Sequence, residues 1–457
     1  MQIAIVSTEH ISQNSGGGGL ATYVDRTAKA LKQLGHDPVI FLCGNTFYKK
    51  NKKSKEQKIK KIYYDGQLLV EVPILYYQLY SQNKIHLSYF KTVRIFKKKL
   101  FKAPRPIVIF HKFIFWLKNK KKGHDLSESI IFEKYGENII QSYFINKAIL
   151  EFNNNKKIDL IHYTNLNGLA IFRPKNIPSI IRISGIHRLW WKVNHITPSA
   201  SMIKQDQLEY DALDSVEKVI APSFLIRDHI LKEKKVDISI IETPFVNNVS
   251  QIDDSELKKY QLDQKKYILF FGQVSALKGV VEIAEIISEF LAKYPDYYYV
   301  FVGEKYKFEG KKIDQYLLSK AKDFSDRIIF IPRLVHQQLF PIIQNAKIIT
   351  LPSRIDNLPN ACIESMSLGK IVIGSRGASF DQLIEDGING FLCEIKQPKT
   401  ILKKIIEALE LSDEQKKLIS TKAKERIEKL SPEIVTKQLV EFYQSAIDCH
   451  KKNFKNK

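Results

Sequence analysis

Short apolar runs alternate with amphipathic stretches at the start of the chain. Gln2–Ser7 is rich in Ile and Val and predicts a buried strand. In Leu20–Leu34 the apolar residues recur at helical spacing, and Gly35 follows where a helix commonly ends. Val39–Cys43 is a second apolar run of strand length. This order predicts a βαβ unit, whose two strands are parallel and whose helix covers one face of the sheet.

The same alternation continues to residue 374 and is divided by one polar stretch, from about Val246 to Lys265. The further predicted strands are 159–163, 179–184, 218–221, 267–271, 297–302, 328–331, 347–351 and 371–374. The further predicted helices are 202–216, 224–233, 280–294, 339–345, 361–368, 398–430 and 432–447. The pattern predicts an α/β protein with two doubly wound, parallel, Rossmann-like sheets, in which ligands bind at the carboxyl ends of the strands. A length of 457 residues is sufficient for two such domains.

The positive charge is concentrated in one segment. The chain has 72 basic and 49 acidic residues, a net charge of +23, and Tyr48–Lys122 alone carries 21 Lys or Arg against three acids. Its two apolar runs, Leu68–Leu79 and Pro106–Leu117, are too short to span a bilayer, which needs about 20 residues. Basic and aromatic residues together suit an anionic lipid surface, and a solvated insertion at about 48–125 is the alternative. No zinc finger, basic zipper or RNA-binding motif indicates nucleic acid.

The cysteines and the first residues of the chain indicate the cellular compartment of the protein. The four cysteines are scattered, without the pairing of a metal site or the density of a disulfide scaffold. Met1–Val6 is apolar at once and has no basic leader or cleavage site. These features predict a cytoplasmic protein, and the basic segment leaves open a peripheral position on the inner face of the membrane.

The densest group of candidate chemical residues is Leu351–Gly369. It places Asp356 in a loop after a predicted strand and Glu364 in the first turns of the next helix, with seven residues between them. Carboxylates accept hydrogen bonds from sugar or ribose hydroxyls, and backbone N–H groups at a helix start favour phosphate or sugar oxygens. The alternative is that Asp356 is a turn residue and that Glu364 complements the helix start.

Two glycine-containing loops add weaker signals. In Phe270–Gly279, Gly272 allows a ligand close to the backbone and Lys278 offers an ammonium group to a diphosphate. In Ser15–Leu20, four glycines expose backbone N–H groups before the first helix, although a plain flexible loop has the same composition.

Together and in this order, these segments resemble the family 4 (group 1) retaining glycosyltransferases of the GT-B fold. The resemblance is strongest from about Tyr267 to Leu392, where it also includes Leu334–Leu339 and Asp381–Phe391. It implies two sheets facing across a cleft, an N-terminal acceptor-side domain (1–246), a donor domain (247–430), and a last helix (431–457) returning toward the first domain.

The resemblance also implies roles for single positions. Glu364 would hold the donor ribose. Asp356 and the backbone after it would hold the donor sugar, and Lys278 would face the diphosphate. The residues implied for donor binding are Gly272, Gln273, Lys278, Arg333, Leu334, Asn357, Leu358, Pro359, Asn360 and Glu364. Gly17 and Gly18 would contribute from the acceptor side.

Three positions depart from the family pattern. Asp356 stands where Glu is more usual, and Gln273 where an arginine usually meets the diphosphate. The family's histidine falls on Ser184, and His187 lies three residues on, so either His187 takes the histidine role or that role is empty. The candidate catalytic residues are Asp356 and His187.

The implied function is transfer of a sugar from a nucleoside-diphosphate sugar to an acceptor hydroxyl, with retention, in glycan or polysaccharide biosynthesis. The acceptor would be a glycan or a lipid-linked glycan. No cofactor or essential metal is expected, and no Asp-x-Asp triplet is present to hold Mg²⁺. A sugar-nucleotide epimerase of the same fold and a non-catalytic sugar-nucleotide-binding module are the alternatives.

Overall fold

A computed structural model describes residues 1–12, 18–43, 60–72, 126–194, 196–246 and 252–455. Strands and helices alternate along these ranges and form two large sheets. In this part of the chain, no helix combines the length and the apolar character needed to cross a membrane.

The first sheet has eight strands. They are β1 (Gln2–Ser7), β2 (Asp37–Cys43), β3 (Lys60–Tyr64), β4 (Gln67–Val72), β5 (Leu160–Thr164), β6 (Ser179–Arg182), β7 (Lys218–Ala221) and β8 (Ile238–Ile240), in the order β3-β4-β2-β1-β5-β6-β7-β8. Parallel pairing joins β1 to β2 and β5, β2 to β4, and β5 to β6, whereas β3 is antiparallel to β4. All six residues of β1 are buried, because a strand inside a parallel sheet is covered on both faces.

Five helices occur between residues 19 and 233 in the described ranges. They are α1 (Gly19–Gln33), α2 (Leu126–Asn155), α3 (His187–Val193), α4 (Ala200–Leu213) and α5 (Phe224–Glu233). The Ser199 and Ser223 side chains cap α4 and α5 by accepting backbone N–H bonds, as serine commonly does at a helix start.

The second sheet has six strands. They are β9 (Lys266–Phe271), β10 (Tyr297–Val302), β13 (Ile328–Ile331), β14 (Ile348–Leu351), β15 (Val372–Ser375) and β16 (Phe391–Cys393), in the order β13-β10-β9-β14-β15-β16. All five neighbouring pairs are parallel. A separate hairpin is formed by β11 (Lys307–Phe308) and β12 (Lys311–Lys312). The helices are α6 (Ser255–Lys259), α7 (Val280–Lys293), α8 (Ile313–Ala321), α9 (His336–Asn345), α10 (Asn360–Ser367), α11 (Lys399–Glu410), α12 (Asp413–Glu428) and α13 (Pro432–Lys455).

By the density of its contacts the chain forms two compact units. One consists of Met1–Ile183, Thr197–Val219 and Tyr443–Lys457, and the other of Ser184–Ile196 and Ile220–Phe442. In the first unit, the hydroxyl of Tyr443 on α13 lies 2.6 Å from Nδ1 of His162 on β5, and both residues are fully buried. The end of α13 is therefore part of this core. The domain boundaries predicted from the sequence stay predictions.

The predicted α/β class with parallel sheets is confirmed, and each predicted strand lies within two residues of an observed one. The single helix predicted over 398–430 is wrong. It is two helices, because Ser412 and Gln415 form a capping box in which each side chain accepts the other residue's backbone N–H.

Part of the predicted basic insertion belongs to the first sheet. Lys60–Tyr64 and Gln67–Val72 form a hairpin whose turn residues, Asp65 and Gly66, both have positive φ. Asp-Gly between two apolar runs is a strong hairpin signal, which the sequence analysis missed. Leu69, Val70 and Val72 are buried, so this part of the first apolar run does not form a lipid-contacting surface. The rest of the segment, including Pro106–Leu117, lies outside the described residues.

Candidate functional site

Two loops of the second unit bring together the lysine and the first acid predicted for the site. One follows β9 and the other follows β14, which are parallel neighbours in the sheet. Their carboxyl ends therefore lie at the same edge. The ammonium of Lys278 donates to Oδ2 of Asp356 over 2.5 Å, although 78 residues separate them in sequence. Both side chains are partly exposed, which leaves the pair accessible to a ligand.

The backbone holds these two loops against each other. The N–H of Arg354 donates to the carbonyl oxygen of Leu277 over 2.9 Å. Gly279 has φ +80°, and a Cβ there would lie 1.9 Å from the carbonyl oxygen of Pro352. A side chain at position 279 would therefore separate the loops, and the glycine is required both by its conformation and by the space.

Further hydrogen bonds orient Asp356. Its Oδ1 accepts the backbone N–H of Asn357 over 3.0 Å, while Oδ2 accepts from Lys278. The hydroxyl of Ser379 donates to its backbone carbonyl over 2.9 Å. The carboxylate is thus fixed at the mouth of the loop before any ligand binds.

The side-chain amide of Asn357 is engaged within the protein, whereas the resemblance implies a donor contact for the Asn357 backbone. Its Nδ2 donates to the carbonyl oxygen of Ser184 over 2.7 Å, and its Oδ1 accepts from the hydroxyl of Ser223 over 3.2 Å. The amide group is thereby engaged in joining three segments of the second unit. Any contact of Asn357 with a donor sugar would have to come from its backbone.

The remaining residues of the motif lead into α10. Leu358 and Pro359 are buried and Asn360 is the first residue of the helix. Glu364, in the second turn, is also buried, and its Oε1 lies 3.6 Å from Nε2 of His336.

His336 begins α9 and closely follows Arg333 and Leu334, so this contact brings the predicted base-side loop to the predicted ribose carboxylate. The sequence analysis did not single out His336. Arg333 is exposed and Leu334 is partly buried.

Gly272 directly follows β9, and the side chain of Gln273 next to it is exposed. The loop that these residues begin ends at Lys278, so the three predicted diphosphate-side residues belong to one loop.

His187 is the first residue of α3 and stacks on Trp191, with ring centroids 5.8 Å apart. Ser184, on the same loop, is the residue held by Asn357. The loop that carries the predicted histidine position is thus joined directly to the acid motif. Gly18 belongs to the first unit, where it precedes α1, and Gly17 lies outside the described residues.

A second ion pair, not anticipated from the sequence, lies beside the first. Nε of Arg354 donates to Oε1 of Glu282 over 2.7 Å, and Glu282 is in the first turn of α7. Burial raises the pKa of Glu282, and the neighbouring guanidinium opposes the rise. The 72 residues between the partners follow no spacing rule, so no pattern in the sequence predicts the pair.

Comparison with known proteins identifies the part of the chain that carries this site. The family model for glycosyl transferases group 1 matches residues 253–426, which include both loops, both ion pairs and the acid motif. Residues 253–426 belong to the group 1 glycosyl transferases. The predicted relationship to this family is confirmed.

The similarity to curated proteins extends beyond the matched segment. The lipopolysaccharide 1,2-N-acetylglucosaminetransferase of Salmonella typhimurium is 23% identical over 257 residues, which cover 54% of this chain and 67% of that enzyme. The spore coat protein SA of Bacillus subtilis is 20% identical over 305 residues, which cover 63% of this chain and 78% of that protein.

Solved structures of the GT-B fold match this chain over almost all of its length. Sucrose-phosphate synthase from Thermosynechococcus elongatus matches with a TM-score of 0.65 at 14% identity, over 97% of this chain and 98% of that one. The Anabaena protein HepE, solved in complex with UDP and glucose, matches with a TM-score of 0.59 at 14% identity, over 97% of this chain and all of that one. At these identities the likeness shows the fold, and the predicted GT-B class is confirmed.

Proposed function

We propose that this glycosyltransferase moves a sugar from a nucleoside-diphosphate sugar to an acceptor hydroxyl, with retention at the anomeric carbon. The observation that carries the proposal is the contact between Lys278 and Asp356. A cation and a carboxylate at the carboxyl ends of adjacent parallel strands match the two parts of such a donor, a diphosphate and a sugar rich in hydroxyl groups.

The proposed roles follow the chemistry of each group. The ammonium of Lys278 meets the diphosphate, and Asp356 accepts hydrogen bonds from the donor sugar. Glu364 accepts from the ribose hydroxyls, with Arg333 and Leu334 at the base. In the HepE complex the bound molecules are UDP and glucose, which agrees with this class of donor.

In the proposed reaction the bond between the anomeric carbon and the diphosphate breaks, and a bond from that carbon to the acceptor oxygen forms. Negative charge develops on the departing diphosphate oxygen, and the proton of the acceptor hydroxyl passes to that oxygen. Lys278 and the backbone N–H groups at the start of α10 stabilise that charge, which is the electrostatic form of catalysis. We propose that no metal ion or cofactor is needed.

The acceptor is proposed to be a glycan or a lipid-linked glycan, which agrees with the lipopolysaccharide enzyme among the relatives. Contact with an anionic membrane surface, and with it a position on the inner face of the membrane, rests on the charge of Tyr48–Lys122 alone. No partner role for nucleic acid is proposed.

The donor is tested by calorimetry with UDP, GDP, ADP and dTDP and with their common sugar derivatives. Lys278→Gln should weaken binding of the bare nucleotide and of the sugar nucleotide alike, by tenfold or more as an order of magnitude. Asp356→Asn should weaken binding of the sugar nucleotide much more than binding of the bare nucleotide. Equal losses for both ligands in Asp356→Asn would contradict the assigned sugar contact.

The alternatives give different products. A transferase releases a nucleoside diphosphate only when an acceptor is present, and NMR of the glycoside gives its anomeric configuration. An epimerase forms an isomeric sugar without any acceptor. A binding module retains the donor and forms neither product, and activity that is lost with EDTA would contradict the metal-free mechanism.

A further inference from the structure

The two loops of the donor site are joined twice by charged side chains. Lys278 pairs with Asp356 at the face assigned to the ligand, and Arg354 pairs with Glu282 beside it. In each pair one partner comes from the β9–α7 region and the other from the loop after β14. A backbone bond also joins the two loops, from the N–H of Arg354 to the carbonyl oxygen of Leu277, which directly precedes Lys278.

These pairs differ in what a ligand would do to them. In the proposed function Lys278 donates hydrogen bonds to a diphosphate, and Asp356 accepts hydrogen bonds from a sugar. Their mutual bond therefore cannot by itself hold the loops at one spacing throughout binding and release. Arg354 and Glu282 have no role assigned at the ligand, so ligand binding does not require their bond to break.

The Arg354–Glu282 pair is chemically suited to act as a brace, that is, to hold the two loops at a fixed spacing. A guanidinium is planar and always charged, so it holds a carboxylate in a fixed geometry better than an ammonium does. The Glu282 side chain is only 12% exposed, which protects the bond from competing water. Glu282 is also anchored on α7, a helix of 14 residues whose inner face is packed in the core.

We propose that Arg354 and Glu282 are positioning residues, which fix the spacing between Lys278 and Asp356 and thereby set the affinity for the nucleoside-diphosphate part of the donor. This inference rests on the proposed function. A displacement of about 1 Å in a binding group can lower activity by about a hundredfold, so a brace behind the site has a measurable effect.

The test uses the full chain and the nucleotide among UDP, GDP, ADP and dTDP that wild-type protein binds most tightly. Arg354→Gln should lower the affinity for that nucleotide by about tenfold. The matched control is Glu285→Gln, one turn along the same helix, which breaks an exposed pair with Lys320 of 2.9 Å. The control should stay within about twofold of wild type, as expected for an exposed surface pair.

A double-mutant cycle separates positioning from general stability. Arg354 acts through Lys278, so adding Arg354→Gln to Lys278→Gln should cause less than about a twofold further loss. Ligand-observed NMR titration reaches the millimolar dissociation constants that this comparison needs. The proposal would be overturned if the fold-loss in nucleotide affinity of the double variant equalled the product of the two single losses. It would also be overturned if Arg354→Gln bound the nucleotide as tightly as Glu285→Gln.

Two further variants guard against misfolding. The joint change Glu282→Gln with Arg354→Gln leaves no unpaired charge, and it should also bind about tenfold more weakly while keeping its thermal unfolding midpoint near that of the control. Arg354→Lys, which keeps the charge, should recover part of the affinity. If wild-type protein binds no nucleotide, the proposed function fails and the brace fails with it, whereas normal wild-type binding with unaffected variants refutes the brace alone.

Discussion

The side-chain amide of Asn357 donates a hydrogen bond to the carbonyl oxygen of Ser184 over 2.7 Å, across 173 residues of sequence. The same amide accepts a bond from the hydroxyl of Ser223 over 3.2 Å. One short side chain therefore joins the acid motif to the loop before His187 and to the start of α5.

Asn357→Ala should lower the free energy of unfolding by about 1 to 3 kcal/mol, because it leaves partly buried groups without their partner. The matched control is Asn345→Ala, which removes an amide that bonds to Pro341 within its own helix and is exposed. Urea unfolding measures both variants. If both variants lowered the free energy of unfolding by the same small amount, the Asn357 amide would not stabilise the contact between these segments.

Glu364 should determine whether the nucleotide needs its ribose hydroxyls. Wild-type protein is expected to bind a ribonucleoside diphosphate more tightly than its 2′-deoxy form. In Glu364→Gln this preference should fall by about fivefold, since a charged acceptor bonds more strongly than a neutral one. Calorimetry with UDP and 2′-deoxy-UDP, or the pair matching the preferred base, gives the ratio. A preference that survives in Glu364→Gln would place the ribose elsewhere.

Gln273 provides a gain-of-affinity test. It is exposed directly after Gly272, where the family usually has an arginine that meets the diphosphate. Gln273→Arg should tighten binding of the bare nucleotide by roughly fivefold, which corresponds to about 1 kcal/mol. Gln344→Arg, an exposed glutamine on α9, is the control for added charge. If both arginines have the same effect, general electrostatic attraction explains the change.

His162 should make the stability of the protein sensitive to acid. Burial lowers its pKa from 6.5 to about 3, and the charge of Arg182 acts in the same direction. Below pH 6.5 the unfolded chain binds a proton that the folded chain does not, so stability present above pH 6.5 is lost as the pH falls.

Between pH 6.5 and pH 5 this loss approaches about 1.4 kcal/mol for each pH unit. His162→Gln should be less stable near pH 7 because the bond to Tyr443 is altered, yet its stability should fall less steeply with acid. Urea unfolding over this range measures the slope. Parallel slopes would show that His162 is protonated in the folded protein as well.

The basic segment predicts attachment to anionic membranes that salt reverses. Its lysines and arginines should each contribute at most about 1 kcal/mol near such a surface. Sedimentation with phosphatidylglycerol vesicles at low salt, against neutral vesicles, measures binding. Joint replacement of Lys97, Lys98, Lys99, Lys120, Lys121 and Lys122 by Gln should release the protein and leave nucleotide affinity unchanged. Equal sedimentation with both kinds of vesicle would contradict the electrostatic attachment.

The sequence predicted those parts of the fold that depend on local pattern. Runs such as Tyr267–Phe271 are apolar because parallel strands are covered on both faces, so their positions could be identified directly. The break at Ser412 and the turn at Asp65 also had local signals, a capping box and an Asp-Gly pair. Apolar periodicity and charge alone reveal neither of them.

The site was only partly predictable for a physical reason. The carboxyl ends of β9 and β14 were expected to carry Lys278 and Asp356, and both lie there in contact. Partners such as Arg354 and Glu282 are set by how two loops pack, and no rule of spacing links residues on different loops. The hydrogen bonds of the Asn357 side chain to Ser184 and Ser223 were likewise not predictable, because these residues are far apart in sequence.

The bond between Tyr443 and His162 bears on how the protein is made. Its partners are 281 residues apart, and Tyr443 is fully buried in the core of the first unit. A ribosome adds about 5 to 20 residues per second, so His162 waits for roughly 15 to 55 s before its partner is synthesised. The entire matched glycosyl transferase segment, 253–426, is synthesised within that interval. The first unit therefore begins synthesis before the second and is completed after it, and its sheet, whose last strand ends at Ile240, lacks the helical segment from Tyr443 onward during that interval.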